Sequence, residues 1–169
     1  MTDFSEICSL KNFIPSDPIL VIDEIPLLSV GIQEIFRSLD PSIRIERTDS
    51  IYTALSSKAY DKKTFDLIIL SWSGDNDPDI LLRDAALLKE KFTGSRVMIY
   101  TERYDSLLIT RAGAASIDAC VHKFEAPEEI LAAYAGLAAG TTWLSPIFDT
   151  LYNAYRLNRD EPLLGERKK

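Results

Sequence analysis

The chain has 169 residues, enough for one globular domain with a full hydrophobic core. Hydrophobic residues make up 46% and charged residues 27%, and no apolar run approaches the roughly 20 residues that a membrane helix needs. The net charge of −7 leaves no basic excess for phosphate contacts, so DNA binding by this stretch alone is not expected. Arg167, Lys168 and Lys169 form the one cationic cluster, and it reads as a solvated tail.

Residues 1–17 show no clear period and read as an N-terminal extension. Met1 to Leu10 carries Asp3 and Glu6 and lacks a basic start before an apolar stretch, which argues against a cleaved secretory signal. Pro18-Ile19-Leu20-Val21-Ile22 is a short run of strand formers that ends in Asp23-Glu24, as in a strand buried on both faces. Leu28, Ile32, Ile35, Phe36 and Leu39 then recur at helical spacing, and Asp40-Pro41 stops that helix. Ile43 to Arg47 alternates and predicts a strand at or near an edge, and Ser50 can cap a short helix carrying Ile51, Ala54 and Leu55.

Asp66 to Leu70 predicts a second buried strand, which runs into the turn-rich stretch Ser71 to Pro78. A helix from about Pro78 to Phe92 offers Ile80, Leu81, Ala85, Leu88 and Phe92 to the sheet. Arg96 to Tyr100 predicts a third buried strand ending at Thr101-Glu102. Ser106 to Ala112 reads as a helix closed by Gly113. Ile117 to Val121 is a fourth buried run, with His122-Lys123 at its exit. Ala126-Pro127-Glu128-Glu129 opens an Ala-rich helix that ends at Gly140.

Strands separated by helices imply parallel pairing through right-handed crossovers. The expected fold is therefore α/β: a doubly wound, five-stranded parallel sheet of flavodoxin-like order 2-1-3-4-5, with its site at the carboxyl ends of the strands. The residues at those ends are Asp23, Glu24, Ser71, Thr101 and Lys123. Two acids beside a hydroxyl and an ammonium can hold a cation or balance a phosphate. A magnesium site wants several hard oxygens, of which Asp23 and Glu24 supply one or two, so binding there is expected to be weak. Ser71 stands where a third carboxylate would complete such a site, and Lys123 is free to pair with Asp23 or Glu24 instead. His122 belongs on the opposite face of its strand from Lys123 and reads as a structural residue, since no triad partner accompanies it. No catalytic residue and no cofactor is expected. Cys8 and Cys120 form neither a disulfide framework nor a CxxC clip, which fits a reducing cytoplasm.

In these same residues the chain resembles the receiver domains of two-component response regulators of the NarL/FixJ (LuxR-type) branch. Ile19 to Leu27 resembles the family's first strand and acidic pair, and Asp66 to Leu70 its central strand. Thr101 stands as the switch hydroxyl and Lys123 as the family's lysine. Arg111-Ala112-Gly113-Ala114 is similar to its RAGA turn, and Ala139-Gly140 through Leu144-Ser145-Pro146 to its exit from the last helix. The separations, 30 residues from Ser71 to Thr101 and 22 from Thr101 to Lys123, suit such a receiver. The match spans about residues 18–146.

The resemblance implies a CheY-like domain over residues 18–144. Residues 145–169 would form a helical linker and the opening of a missing DNA-binding domain, so that a longer parent binds DNA and this stretch does not. The family's phospho-accepting aspartate is replaced by Ser71, the loop after it departs through Trp72 to Asp77, and Cys120 stands at the aromatic switch position. The expected function is that of a pseudo-receiver in the cytoplasm, regulating transcription by docking a protein or forming a homodimer without aspartyl phosphorylation. Two alternatives stay open: a receiver phosphorylated at a displaced acid, Asp75 or Asp77, and a small ligand-binding doubly wound domain. The small-residue stretch Ala132 to Ala139 either packs on the sheet or allows close helix approach. The last helix, with Ile147, Leu151, Tyr152 and Tyr155, offers a docking face.

Overall fold

In the computed structural model of the chain, residues 14–73, 77–103, 105, 108 and 117–160 are described. The elements follow as β1 (Ile19–Ile22), α1 (Pro26–Leu39), β2 (Ile45–Thr48), α2 (Ile51–Ser56), a 3-10 turn (Lys58–Tyr60), β3 (Leu67–Trp72), α3 (Pro78–Lys91), β4 (Arg96–Thr101), β5 (Ala119–His122), α4 (Glu128–Ala138), β6 (Trp143–Leu144) and α5 (Pro146–Asp160). The strands form one sheet in the order β2-β1-β3-β4-β5-β6, and every neighbouring pair is parallel. This is the expected flavodoxin-like order with a sixth strand added beyond β5. The helix expected at Ser106 to Ala112, its Gly113 cap and the RAGA turn lie outside the described residues, except for Leu108. That residue is helical and buried, and its N–H donates to Asp105 Oδ1 at 3.1 Å.

The sheet is covered on both faces, and alternation along each strand sorts the side chains between them. On one face Leu20, Ile22, Ile68, Leu70, Val97, Ile99 and Cys120 pack against Leu81, Ala85 and Leu88 of α3 and Phe148 of α5. On the other, Ile19, Val21, Leu67, Ile69, Met98, Ala119 and Val121 meet Ile32 and Phe36 of α1 and Ile130, Ala133, Tyr134 and Leu137 of α4. Phe36 and Tyr134 join the two helices of that face edge to face at 5.7 Å, a geometry worth about 0.5–1.5 kcal/mol beyond burial.

Helix ends follow local chemistry. Ser50 Oγ accepts from Thr53 N–H at 3.1 Å and caps α2, while Asp77 Oδ1 accepts from Asp79 N–H at 2.9 Å and caps α3 ahead of Pro78. On α3 the inward stripe is Leu81, Ala85 and Leu88. Ile80, expected to face the sheet, is instead 40% exposed, because one residue's rotation takes it off that stripe.

The sixth strand was not expected. A two-residue strand carries no readable period, and this one forms because Gly140, at φ 86°, turns the chain back at the end of α4. Trp143 N–H then donates to Asp118 O and Ser145 N–H to Cys120 O, each at 2.9 Å. The small-residue stretch packs inward: Ala133 and Leu137 are buried on the sheet, and a Cβ on Gly136 would lie 2.6 Å from the Trp143 ring.

Helix α5 begins as part of the domain. Ile147 N–H donates to Glu125 Oε1 at 2.7 Å, and the fully buried Phe148 lies 5.6 Å from the His122 ring. Of the expected residues, Leu151 and Tyr152 pack against the core, and they are joined there by Phe148. Among the described residues no helix is long and apolar enough to cross a membrane.

Candidate functional site

Strands β1 and β3 are neighbours, with Ile22 opposite Leu70, so the next residues, Asp23 and Ser71, emerge level at the carboxyl edge of the sheet. Backbone bonding holds Asp23 there: its N–H donates to Thr48 O at 3.1 Å. Its side-chain Oδ1 accepts from Ile25 N–H, which closes the turn into α1. Arg47 Nη2 donates to Asp23 O at 3.0 Å and to Glu24 O at 3.3 Å, tying that turn to the end of β2.

A cleft of about 320 Å³ opens at this edge and brings together Asp23, Glu24, Ser71 and Lys123. Its further walls are Asp49 and Ser50 after β2, Trp72 at the end of β3, Ile51, and Ile80, Leu81 and Asp84 of α3. Asp49 was not among the expected site residues, although it follows the last residue of β2 and the strand-end rule that found Asp23 would have found it too. Hydrogen bonds from Thr53 and then Ser50 hold its exposed carboxyl below the ordinary carboxylate range. Asp84 is paired with Arg83 at 3.2 Å.

Lys123 pairs with neither acid. Its Nζ lies 5.9 Å from the centroid of the Tyr100 ring, a cation–π placement, and its backbone N–H donates to Thr101 O at 2.9 Å. The expected ion pair with Asp23 or Glu24 is thus replaced by an aromatic partner on the neighbouring strand. Burial raises the Tyr100 phenol above its ordinary value, which keeps that ring neutral beneath the ammonium.

Thr101 does not join the cleft. It is fully buried, and its Oγ1 accepts from Arg103 N–H at 3.0 Å, closing the turn after β4. Thr101 follows Val97 and Ile99 on the α3-covered face and is enclosed there, whereas Tyr100 lies on the other face, which Lys123 shares. Asp77 is engaged as the cap of α3 and does not line the cleft, and Asp75 lies outside the described residues.

His122 is 1% exposed and bonded at both nitrogens. Nδ1 accepts from Phe124 N–H at 3.1 Å, which assigns the hydrogen to Nε2, 3.2 Å from Glu102 O. The ring packs between Phe124 and Phe148, as a structural histidine does. Cys120 is fully buried in the core, and burial pushes its thiol up to about 12. Among the described residues no three His, Cys, Asp or Glu side chains converge as a metal site.

No family model matches the chain, and no curated protein matches it. Solved structures do. A LuxR-family DNA-binding response regulator from Silicibacter pomeroyi matches with a TM-score of 0.63 and 21% identity, over 77% of this chain and 97% of that one. A LuxR-family two-component response regulator from Aurantimonas sp. SI85-9A1 gives 0.69 and 18%, over 83% and 98%. The isolated REC domain of RcsB from Salmonella enterica serovar Typhimurium, in the presence of phosphomimetic BeF3-, gives 0.65 and 16%, over 80% and 97%. The structural neighbours are thus receiver domains of LuxR-family regulators, and the chain has their α/β fold.

Proposed function

We propose that the chain is a pseudo-receiver: a regulatory domain of the LuxR-type response regulator kind that acts through protein–protein contact or dimerisation, without aspartyl phosphorylation and without enzymatic activity of its own. The observation that carries this is Ser71 at the end of β3, in one cleft with Asp23, Glu24 and Lys123. A serine hydroxyl cannot form the acyl phosphate that a carboxylate forms, and it removes one negative charge from any metal site. The employment of Lys123 over Tyr100, and of Asp77 as a helix cap, agrees with a cleft that no longer handles phosphate. RcsB, one of the similar proteins, has been solved as dimers bound to DNA. Dimerisation of this chain through its helical surface, in the cytoplasm and within a longer DNA-binding regulator, is the corresponding proposal here. The reading calls for no cofactor.

Incubation with acetyl phosphate and Mg²⁺, followed by intact mass measurement, tests it directly. No added phosphoryl mass is expected. A stable phosphorylated species mapped to Asp77 or Asp75 would replace this reading with that of a displaced acceptor, and sedimentation over a concentration range decides between monomer and dimer.

A further inference from the structure

We propose that His122 makes the root of α5 sensitive to acid: a proton taken up at its Nδ1 breaks the turn after β5 and loosens the hold on the helix. The inference stands on the hydrogen bonds at the tip of β5 and holds whether or not the chain is a signalling domain. His122 is the one histidine of the chain, and it is 1% exposed. Its Nδ1 accepts from Phe124 N–H at 3.1 Å, and its Nε2 stands 3.2 Å from Glu102 O. Together the two contacts require a neutral ring with its hydrogen on Nε2.

The same residue holds α5. Its backbone N–H is shared between Ser145 Oγ at 3.2 Å, directly ahead of the helix, and Glu125 Oε2 at 3.3 Å. Glu125 Oε1 takes Ile147 N–H, in the first turn of α5, at 2.7 Å. Phe148, one residue on, is fully buried with its ring 5.6 Å from the imidazole. Glu125 follows directly on Phe124, so a turn that opens at Phe124 carries the Glu125 carboxylate with it.

Imidazoles are the side chains that change charge between about pH 5 and 8. A proton on Nδ1 turns the acceptor into a second donor, which then faces the Phe124 N–H. Two donors do not bond each other, and a buried donor left without an acceptor is costly. Phe124 has room to yield: its ring packs 5.2 Å from the imidazole, yet the residue is 81% exposed. The ionisable groups on the described elements around the ring are Glu102, Arg103 and Asp105 after β4, Lys123 and Glu125 after β5, and Asp149 beside Phe148 on α5. Lys123 is turned to Tyr100, Asp105 Oδ1 accepts from Leu108 N–H, and Asp149 is exposed. Glu125 is already in contact with His122, so an imidazolium competes with Ile147 N–H for its carboxylate. The loss at Phe124 and the competition for Glu125 act in the same direction, away from the docked helix.

The test follows the full chain from about pH 7.5 to about pH 5.5, with isotope-labelled histidine read by NMR for the ring and amide hydrogen exchange, corrected for its intrinsic pH dependence, for the backbone. A single histidine gives a single ring spectrum. At the upper pH the ring is expected in its neutral Nε2–H form. On acidification it takes up a proton, and exchange at Ile147 to Leu151 accelerates roughly tenfold or more while β1 and β3 keep their protection. His122→Asn keeps an amide oxygen for the Phe124 N–H and does not titrate, so its corrected α5 exchange should be flat across the range. Should that variant fail to fold, the wild type carries the reading by itself: ring protonation and α5 exchange should share one midpoint. A ring hydrogen on Nδ1 at the upper pH, a ring still neutral at the lower pH, α5 exchange that does not follow the ring, or the same acid response in folded His122→Asn would overturn the proposal.

Discussion

Single side chains decide what this carboxyl edge can do. Glu129 shows how finely the balance is set around it. Its carboxyl is raised above the ordinary 4.5, first by burial, against the lowering effect of the Trp143 Nε1–H that donates to Oε1 at 2.8 Å, with Glu125 adding a further upward push. A carboxyl raised on folding favours the native state at low pH, and that contribution is lost as pH rises through the folded-state value. Glu129→Gln keeps an acceptor for the indole and removes the charge. It should therefore melt above the wild type at pH 7, with the difference shrinking below pH 4.5, where the wild-type carboxyl is protonated in both states. Melting curves at the two pH values check this. Cys120 offers a second residue-scale expectation. A thiol pushed up to about 12 inside the core should resist iodoacetamide at pH 8 in the folded protein and react only after denaturation, as peptide mapping would read.

Among the elements, those with a readable run or period were legible, down to the six-residue α2 with its Ser50 cap, while the 3-10 turn and the two-residue β6 were not. Strands buried on both faces announce themselves as continuous runs, which is why Ile19–Ile22, Leu67–Leu70 and Val97–Tyr100 stand out before any coordinates. The expected central strand stops at Leu70, whereas β3 continues through Ser71 and Trp72, because pairing with Tyr100 and Thr101 extends it where composition signals a turn. Of the expected site, Asp23, Glu24, Ser71 and Lys123 meet in one cleft. Thr101 stays out of it because its side chain is fully buried and its hydroxyl accepts from Arg103 N–H in the turn after β4, which position at a strand end does not foretell. Strand β6 and its return were hidden in two residues, and Gly136 makes them possible by leaving room for the Trp143 ring. Gly136→Ala would place a methyl 2.6 Å from that ring, and overpacking of this kind should cost about 1–3 kcal/mol, measurable by denaturant unfolding.

At the scale of the molecule, the first turn of α5 is packed into the core of the sheet. Phe148 is wholly buried beside His122 in the core that α3 shares, while the exposed Leu157, further along the same helix, is 69% exposed. Phe148→Ala should destabilise the whole domain by about 3–5 kcal/mol, as loss of a core phenylalanine does, rather than loosen a peripheral helix. Leu157→Ala should change stability by less than about 0.5 kcal/mol, and paired unfolding curves separate the two.

The clamp at the root of α5 also has a mechanical side. Glu125 binds Ile147 N–H through one oxygen and His122 N–H, at 3.3 Å, through the other, so one carboxylate rivets the helix to the tip of β5. From that rivet the helix runs 15 residues, about 22 Å at the usual rise. It is a lever whose fulcrum sits two residues from Lys123. A tilt of about 10° at the fulcrum would sweep the far end through about 4 Å at that length.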